Sequence, residues 1–303
     1  MLDLGIVIVN YNVCALLQRC LTTVFASEGD FRYEICVVDN NSGDGSVAMV
    51  RQQFPDVKLI ANDENVGYPA ANNQGLKALG VQSDTAPRYA LLLNPDTELP
   101  ADGLARLLCY MDENQDVGVV GPRLVLPDGS LDLACRRGFD SMSALFYRMV
   151  GLSRLCPKSR RFARYNMTYL DEWELADVDS VVGAFMLVRT AALDNVGLLD
   201  DRFWMYGEDL DWAKRIKSEG WRVVYNPDVT VLHVKRASSR QNPRAQTEFY
   251  RAMLIFYYKH YRTTTAIWLH VLVLLGIALK GGRAVWSDVL SGPRILNRPR
   301  FGA

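Results

Sequence analysis

The chain is short of the groups that staple or charge a protein toward one obvious role. Its six cysteines (14, 20, 36, 109, 135 and 156) form no Cys-x-x-Cys pair. That excludes a disulfide scaffold and a zinc ribbon and leaves reduced thiols, as in a cytosolic protein. Neither sign of charge is in excess, with 34 Lys and Arg against 34 Asp and Glu, so a nucleic acid is not expected as partner. The phosphate-cradling glycine motifs, G-x-G-x-x-G after the first strand and G-x-x-x-x-G-K-[ST], are missing. A dinucleotide dehydrogenase and a P-loop enzyme thereby lose their main support. No apolar run reaches the roughly 20 residues that a membrane span needs. Met1-Leu2-Asp3 has an acid where a signal peptide carries its basic region, so no signal peptide is expected.

What is present alternates between short β-branched runs and helical patterns. Leu4 to Val9, Glu34 to Val38, Val57 to Ile60 and Tyr89 to Leu93 read as strands. Helical patterns lie between them, with Leu16, Leu17, Cys20, Leu21 and Val24 on one face of the first. This alternation predicts an α/β fold on a mostly parallel sheet. Leu104 to Asn114 reads as a helix and Val117 to Gly121 as a strand; residues 126 to 176 lack periodicity and read as loop-rich. Val178 to Val188 reads as a strand pair or bent strand, Leu210 to Glu219 as a helix, Trp221 to Tyr225 and Val229 to His233 as two short strands, and Glu248 to Tyr261 as a helix.

Candidate chemistry collects where strands end, the edge at which open α/β sheets bind ligands. The run Leu91-Leu92-Leu93 stops at Asn94-Pro95-Asp96, and Asp96 can hold a hard divalent cation that in turn holds a diphosphate. Tyr11 follows the first strand and can stack on a base, with Asn10 or Asn12 adding hydrogen bonds; packing is its plainer role. Asp39 ends the second strand and can accept hydrogen bonds from a base or ribose, or serve an Asx-turn among Asn40, Asn41 and Ser42. From Asn65 through Gly67 to Gly75, small residues allow a close backbone approach to a ligand, and Asn72 and Asn73 are expected to open a helix. Glu208, Asp209 and Asp211 crowd three carboxylates into four residues beside Phe203, Trp204 and Tyr206. Partial desolvation by those rings would raise a carboxyl pKa, as a general base requires; a capped helix with a solvated acidic turn is the bland reading. His233 ends a strand, and beside Asp96 it would complete an imidazole–carboxylate set suited to Mn²⁺ or Mg²⁺.

Taken together, IVIVNYN (6–12), VVDNNSGDGS (37–46), NVGYPAANNQG (65–75), LLNPDTEL (92–99), GAFMLVR (183–189), FWMYGEDLDWAKRIKSEGW (203–221) and His233 resemble the family 2 glycosyltransferases, especially their rhamnosyltransferase-like branch. The likeness spans roughly residues 3 to 240. It implies a GT-A fold and inverting transfer of a sugar from a nucleotide donor. By the resemblance, Tyr11 and Asp39 bind the base, Asn73 lies beside the diphosphate, and Asn94-Pro95-Asp96 stands where the family has D-x-D. Asn94 replaces the first carboxylate there, which leaves Asp96 and His233 for the metal. Asp209 corresponds to the catalytic base, with Glu208 orienting it or touching the acceptor. The nucleotide site is thus expected from Tyr11, Asn12, Asp39, Asn65, Gly67, Asn73 and Asn94.

The donor expected from this likeness is dTDP-rhamnose, with UDP- and GDP-hexoses as alternatives. The acceptor expected is a cell-envelope glycan or polyprenyl-lipid-linked glycan at the cytoplasmic face of the membrane. The expected organisation is a glycosyltransferase domain over 1–240, with a nucleotide half (1–121) and an acceptor half (122–240), followed by a helical, membrane-associating extension (241–303). Ala266 to Leu279 is apolar nearly all round, but at 14 residues it suits a surface-lying helix or a buried one. A non-catalytic nucleotide-sugar-binding protein on the same fold is the alternative. A nucleotidyltransferase is disfavoured, because Asn10-Tyr11-Asn12 stands where that class has a basic glycine-rich loop.

Overall fold

The computed structural model describes residues 2–138, 147, 151–235 and 244–297. The first half is a run of strands and helices: β1 (Leu4–Asn10), α1 (Cys14–Phe25), β2 (Tyr33–Asp39), α2 (Ser46–Gln53), β3 (Lys58–Ala61), α3 (Tyr68–Ala78) and β4 (Tyr89–Leu93). After the two-residue β5 (Thr97–Glu98) come α4 (Gly103–Glu113) and β6 (Val117–Val125). The remainder comprises β7 (Ala176–Asp177), β8 (Phe185–Arg189), α5 (Glu208–Ser218), β9 (Arg222–His233), and the helices α6 (Ala245–His260), α7 (Ile267–Gly281) and α8 (Arg283–Ser291).

The strands form one nine-stranded sheet in the order β3-β2-β1-β4-β8-β6-β9-β5, with β7 also on β9. From β3 to β4 every pairing is parallel. β1 and β4 are buried along their whole length, which explains their unbroken apolar sequences. α1 buries Leu17, Cys20, Leu21 and Val24, the face that its sequence pattern marks, in the core around the sheet. β8 runs antiparallel to both β4 and β6, and β6 is parallel to β9. Two reversals restore the original direction, so β9 points the same way as β4. The carboxyl ends of β1, β2, β4 and β9 therefore share one edge of the sheet, and β8 enters at that edge, with Phe185 opposite Leu93.

Several boundaries differ from the sequence reading. Residues 178–184 are loop apart from an isolated antiparallel bridge between Ser180 and Arg137, and only Phe185–Arg189 forms a strand. The two strands read at Trp221–Tyr225 and Val229–His233 are one strand with an irregularity: Asn226 pairs with Pro122 and Thr230 with Arg123. α3 begins at Tyr68, so Asn72 and Asn73 lie inside a helix and do not open it. Pro69 near its start removes a donor that the first turn would not use. α5 begins at Glu208, which places all three acids in its first turn, where the helix dipole favours them. Part of the loop-rich stretch read at 126–176 lies outside the described residues.

There are two hydrophobic cores. The larger fills both faces of the sheet. The smaller joins α6, α7 and α8 and includes Phe203 and Leu210, which flank the start of α5. Asp211 of α5 is fully buried and binds Arg215 on its own helix and Lys259 and His260 of α6. The C-terminal helices are thus keyed directly to the helix that carries the acidic cluster.

Candidate active site

Two asparagines in left-handed backbone conformations shape the loops after β1 and β2: Asn12 (φ 54°) and Asn41 (φ 65°), a conformation that Asn tolerates. Asp39 is buried; its Oδ2 accepts from Asn10 Nδ2 at 2.7 Å and its Oδ1 from the Ser42 amide at 2.8 Å. Asn12 ties the two loops together, its Oδ1 accepting from the Gly43 amide and its own amide donating to Ser42 Oγ. Tyr11 is half-buried beside them. The Asx-turn and the base-binding readings of Asp39 are therefore compatible, since each carboxylate oxygen keeps a second lone pair.

The 65–75 segment behaves differently from its sequence reading. Gly67 (φ 91°) makes a close approach, but to protein: a Cβ there would sit 2.6 Å from the Trp204 carbonyl oxygen. The next amide, Tyr68, donates to that carbonyl. Asn65 accepts from the Gly67 amide in a turn. The amide group of Asn73 is taken by the Leu199 backbone, donating at 2.8 Å and accepting at 3.1 Å. These residues join α3 to the aromatic loop that precedes α5.

Tyr68, which the sequence reading passed over, occupies the centre. Its buried hydroxyl lies 2.8 Å from the Gly183 carbonyl oxygen and 3.1 Å from Asn94 Oδ1, so its proton is offered to both. Asn94 is held by its amide on the Ala184 carbonyl. Under the turn, the thiol of Cys20 donates toward the Asn94 carbonyl, and burial pushes that thiol up to about 12, keeping it a donor. Gly183 also donates its amide to Asp209 Oδ2 at 3.1 Å. One loop residue thus links the Asn94–Asp96 turn, through Tyr68, to the start of α5.

That start is presented by two consecutive left-handed residues, Tyr206 (φ 71°) and Gly207 (φ 79°). For a tyrosine this is a strained conformation, of the kind that clusters at functional sites. Asp209 receives three donors: Gly183, the Leu210 amide, and Arg137 Nη1 at 3.1 Å. Glu208 is buried, and its Oε2 has no hydrogen-bond partner. At the far side of the cleft, His233 Nε2 lies 3.5 Å from Asp96 Oδ1, and its Nδ1 is 2.9 Å from Asp132 Oδ2.

With this geometry established, likeness to known proteins decides the family. Residues 5–197 match the family model described as glycosyl transferase family 2. The chain belongs to glycosyl transferase family 2. It is 29% identical over 246 residues to an N-acetylglucosaminyl-diphospho-decaprenol L-rhamnosyltransferase of Mycobacterium tuberculosis, covering 79% of this chain and 78% of that one. It is 24% identical over 239 residues to the rhamnosyltransferase WbbL of Escherichia coli, covering 78% and 84%. Among solved structures, a Pyrobaculum calidifontis mannosyltransferase in complex with GDP-Man and Mn²⁺ superposes with a TM-score of 0.56 at 18% identity, over 96% of this chain and 76% of that one. GalNAc-T7 with UDP, GalNAc and Mn²⁺ gives 0.57 at 14% identity, over 96% and 57%. The fold is GT-A, and the protein is a glycosyltransferase.

The electrostatics of this glycosyltransferase separate its two adjacent acids. Burial, reinforced by the charge of Asp209, pushes Glu208 up to about 8. Its carboxyl therefore carries a proton at neutral pH, consistent with an oxygen left without a donor. Asp209 is instead paired with Arg137. Burial alone would lower the Arg137 pKa, but the carboxylate beside it outweighs this and keeps the guanidinium charged. The Tyr68 phenol is raised well above its ordinary value, first by burial and then by Glu208 and Asp209, with a smaller contribution from Asp96. Tyr68 and Gly183 thus stand between the Asn94 turn and the start of α5. For His233, burial favours the neutral ring, but hydrogen bonds to Asp132 and Asp96 prevail and raise it to about 9. Asp132 is held well below the usual carboxylate range: its burial is outweighed by donors from His233 and Lys235.

The pair Asp96 and His233 fits a divalent cation. A carboxylate and an imidazole 3.5 Å apart can share one ion, the cation taking the place of the proton that Nε2 otherwise points at Asp96, and the second ring nitrogen is fixed by a carboxylate, as is usual for metal-binding histidines. Among the described residues no group of three or more His, Cys, Asp or Glu converges as a metal site. Asp132, Arg137 and Tyr68 are the site residues that sequence reasoning missed. Arg137 and Asp132 lie beside or within a basic stretch without periodicity, and Tyr68 lies in a segment read for its small residues.

Proposed function

We propose that the protein is an inverting glycosyltransferase that moves rhamnose from dTDP-rhamnose to a polyprenyl-lipid-linked or cell-envelope glycan acceptor at the cytoplasmic face of the membrane. The observation that carries the chemistry is the junction at Gly183. Its carbonyl oxygen binds Tyr68, which reaches the Asn94 turn, while its amide binds Asp209. A donor held at the first point is brought beside a carboxylate at the second. The decaprenol-linked substrate of the mycobacterial relative supports the acceptor class.

Tyr11 and Asp39 would hold the nucleoside, and Asn94 and Asp96 would face the diphosphate. Asp96 and His233 would hold Mn²⁺ or Mg²⁺, whose chemistry there is to neutralise charge on the departing diphosphate. Asp209 would take the proton from the acceptor hydroxyl as its oxygen attacks the anomeric carbon, inverting that centre in a single displacement. Protonated Glu208 adds no second negative charge to the attacking face and can donate a hydrogen bond to the acceptor. Gly183 and Arg137 fix the Asp209 carboxylate, so its position is set before the acceptor arrives. Positioning and charge stabilisation supply the remainder of the barrier reduction.

The test is a transfer assay with dTDP-, UDP- and GDP-sugars on a short-chain polyprenyl-diphosphate-GlcNAc acceptor. Transfer from dTDP-rhamnose with inverted anomeric configuration, lost in Asp209→Asn, is the expected result. Donor binding without transfer to any acceptor would favour the non-catalytic alternative.

A further inference from the structure

The helices α7 and α8 invert the usual arrangement of a surface helix. In α7, Ile267, Trp268, Val271, Leu272, Leu275 and Leu279 all face solvent, at exposures from 49% to 82%. Their spacing of about four residues puts them on one side of the helix. The opposite side, with Val273 and Ile277, packs against α6 in the second core. α8 continues the outer surface with Trp286 (51% exposed) and Leu290 (87%), one turn apart. Trp286 Nε1 donates to the Ala278 carbonyl, locking the two helices into a hairpin. Eight large apolar side chains on one face go well beyond the scattered exposed residues of a soluble monomer.

Length and charge decide among the candidates for what covers this face. α7 has 15 residues and thus spans about 22 Å, too short for a bilayer core of about 30 Å, and no helix among the described residues is long and apolar enough to cross. The hairpin bend carries Lys280 and Arg283, both exposed. Across residues 244–297 there are seven Lys and Arg but only two acids, Glu248 and Asp288. The two acids pair with Arg244 and Arg251, and Lys259 pairs with Asp200 and Asp211, so the positive excess rests on Arg262, Lys280, Arg283 and Arg294. An apolar plane with tryptophans and a cationic rim matches an anionic lipid surface. A second copy docked on the same plane would bring two such rims of like charge together.

We propose that the outer face of α7 and α8 is a seat that lies in the plane of an anionic bilayer, with Trp268 and Trp286 at the headgroup level. It rests on the reading above that the acceptor is carried by a membrane lipid, and it assigns that contact to one face. The seat is rigidly tied to the chemistry. α6 beneath it binds Asp211 of the catalytic helix through Lys259 and His260, and Phe203 and Leu210 belong to the same core. Docking on the seat therefore sets the height and tilt at which the cleft meets a lipid-linked diphosphate.

The experiment is flotation of the full chain with vesicles of phosphatidylcholine alone or mixed with phosphatidylglycerol. Its companion assay measures sugar transfer to a water-soluble acceptor analogue. The chain is expected to float with the mixed vesicles and to lose about tenfold in partition in a Trp268→Gln/Leu272→Gln/Leu275→Gln variant. Lys280→Glu/Arg283→Glu should lose the dependence on phosphatidylglycerol, and both variants should keep their melting temperature and soluble-acceptor turnover. Three outcomes would overturn the seat: no flotation, flotation unaffected by either variant, or a lipid-free dimer that the apolar variant dissociates. If transfer persists in any of those cases, the catalytic reading stands and only the seat falls. Flotation without transfer to any acceptor would sink the catalytic reading instead.

Discussion

Arg137 Nη1 lies 3.1 Å from Asp209 Oδ2, the same oxygen that accepts the Gly183 amide. Both side chains are largely out of water, so the charges depend on each other. Removing one partner of a buried ion pair leaves the other uncompensated, at a cost of about 3–5 kcal/mol. Arg137→Ala should lose that much stability in urea unfolding, because it leaves Asp209 beside Glu208 with no cation. In the Arg137→Ala/Asp209→Asn double variant the loss should be well below the sum of the single losses. Additive losses would show that the pair is not coupled.

Asp209→Asn alone keeps the shape of the site and removes the proton acceptor. Turnover should fall by about 10²–10⁴-fold, the usual worth of a general base. The thermal stabilisation given by saturating dTDP-sugar should remain, near 2.7 kcal/mol at about 100 times the dissociation constant. Loss of both would point to a structural role for Asp209.

Glu208 makes stability depend on pH in a direction opposite to most carboxylates. Its folded pKa, about 8, is above the ordinary value of 4.5. Between those two values the native state holds a proton that the unfolded chain has released, so raising the pH destabilises the fold across that window. The contribution is present in full below about 4.5 and is lost as pH passes through about 8. Glu208→Gln mimics the protonated form and should flatten that decline. At pH 9 the variant should be more stable than the parent by upwards of about 1 kcal/mol, the worth of roughly one pH unit. Parallel stability curves for the two proteins from pH 5 to pH 9 (roughly the window over which the linkage acts) would sink this assignment.

Asp132 fixes the ring of His233 from the side away from Asp96. Replacing a carboxylate that orients a metal-binding histidine typically costs about 10–100-fold in metal affinity. Asp132→Asn should weaken Mn²⁺ binding by that factor in calorimetry, in the absence of any acceptor. His233→Ala should weaken it further. Unaltered Mn²⁺ affinity in Asp132→Asn would remove its positioning role.

How much of this was legible in the sequence depended on whether a residue's partner was near along the chain. β1, β2 and β4 were readable because burial on both faces forces continuous apolar runs ending in polar residues. Asp39, Asp96, Asp209 and His233 were readable because each stands where an element begins or ends. The loop at 178–184 was not, because its apolar residues Val178 and Val181 are buried without pairing as a strand. Arg137 and Asp132 were hidden for another reason: their partners lie 72 and 101 residues away, at a distance that no local pattern encodes. Small residues at 65–75 read as allowing a close backbone approach to a ligand; Asn73 is hydrogen-bonded to the Leu199 backbone, and at Gly67 the structure shows a close approach to Trp204.

That last contact yields a prediction with an internal control. Gly67 and Gly129 both have positive φ, at 91° and 80°. A Cβ at Gly129 meets nothing within 4 Å, whereas at Gly67 it would meet the Trp204 carbonyl oxygen at 2.6 Å and the Trp204 ring at 2.7 Å. Gly129→Ala should therefore cost only the left-handed strain, about 1–2 kcal/mol. Gly67→Ala must in addition push the Trp204 backbone away, against the Tyr68 amide that binds it. Its loss in urea unfolding should exceed that of Gly129→Ala by about 1 kcal/mol or more. Because Trp204 leads directly into Tyr206, Gly207 and Glu208, the displaced loop carries the start of α5 with it. Gly67→Ala should then lower turnover while Gly129→Ala leaves it unchanged. Equal stability losses with equal turnover would mean that the α3 loop and the aromatic loop move independently, and that Trp204 does not help to position Asp209.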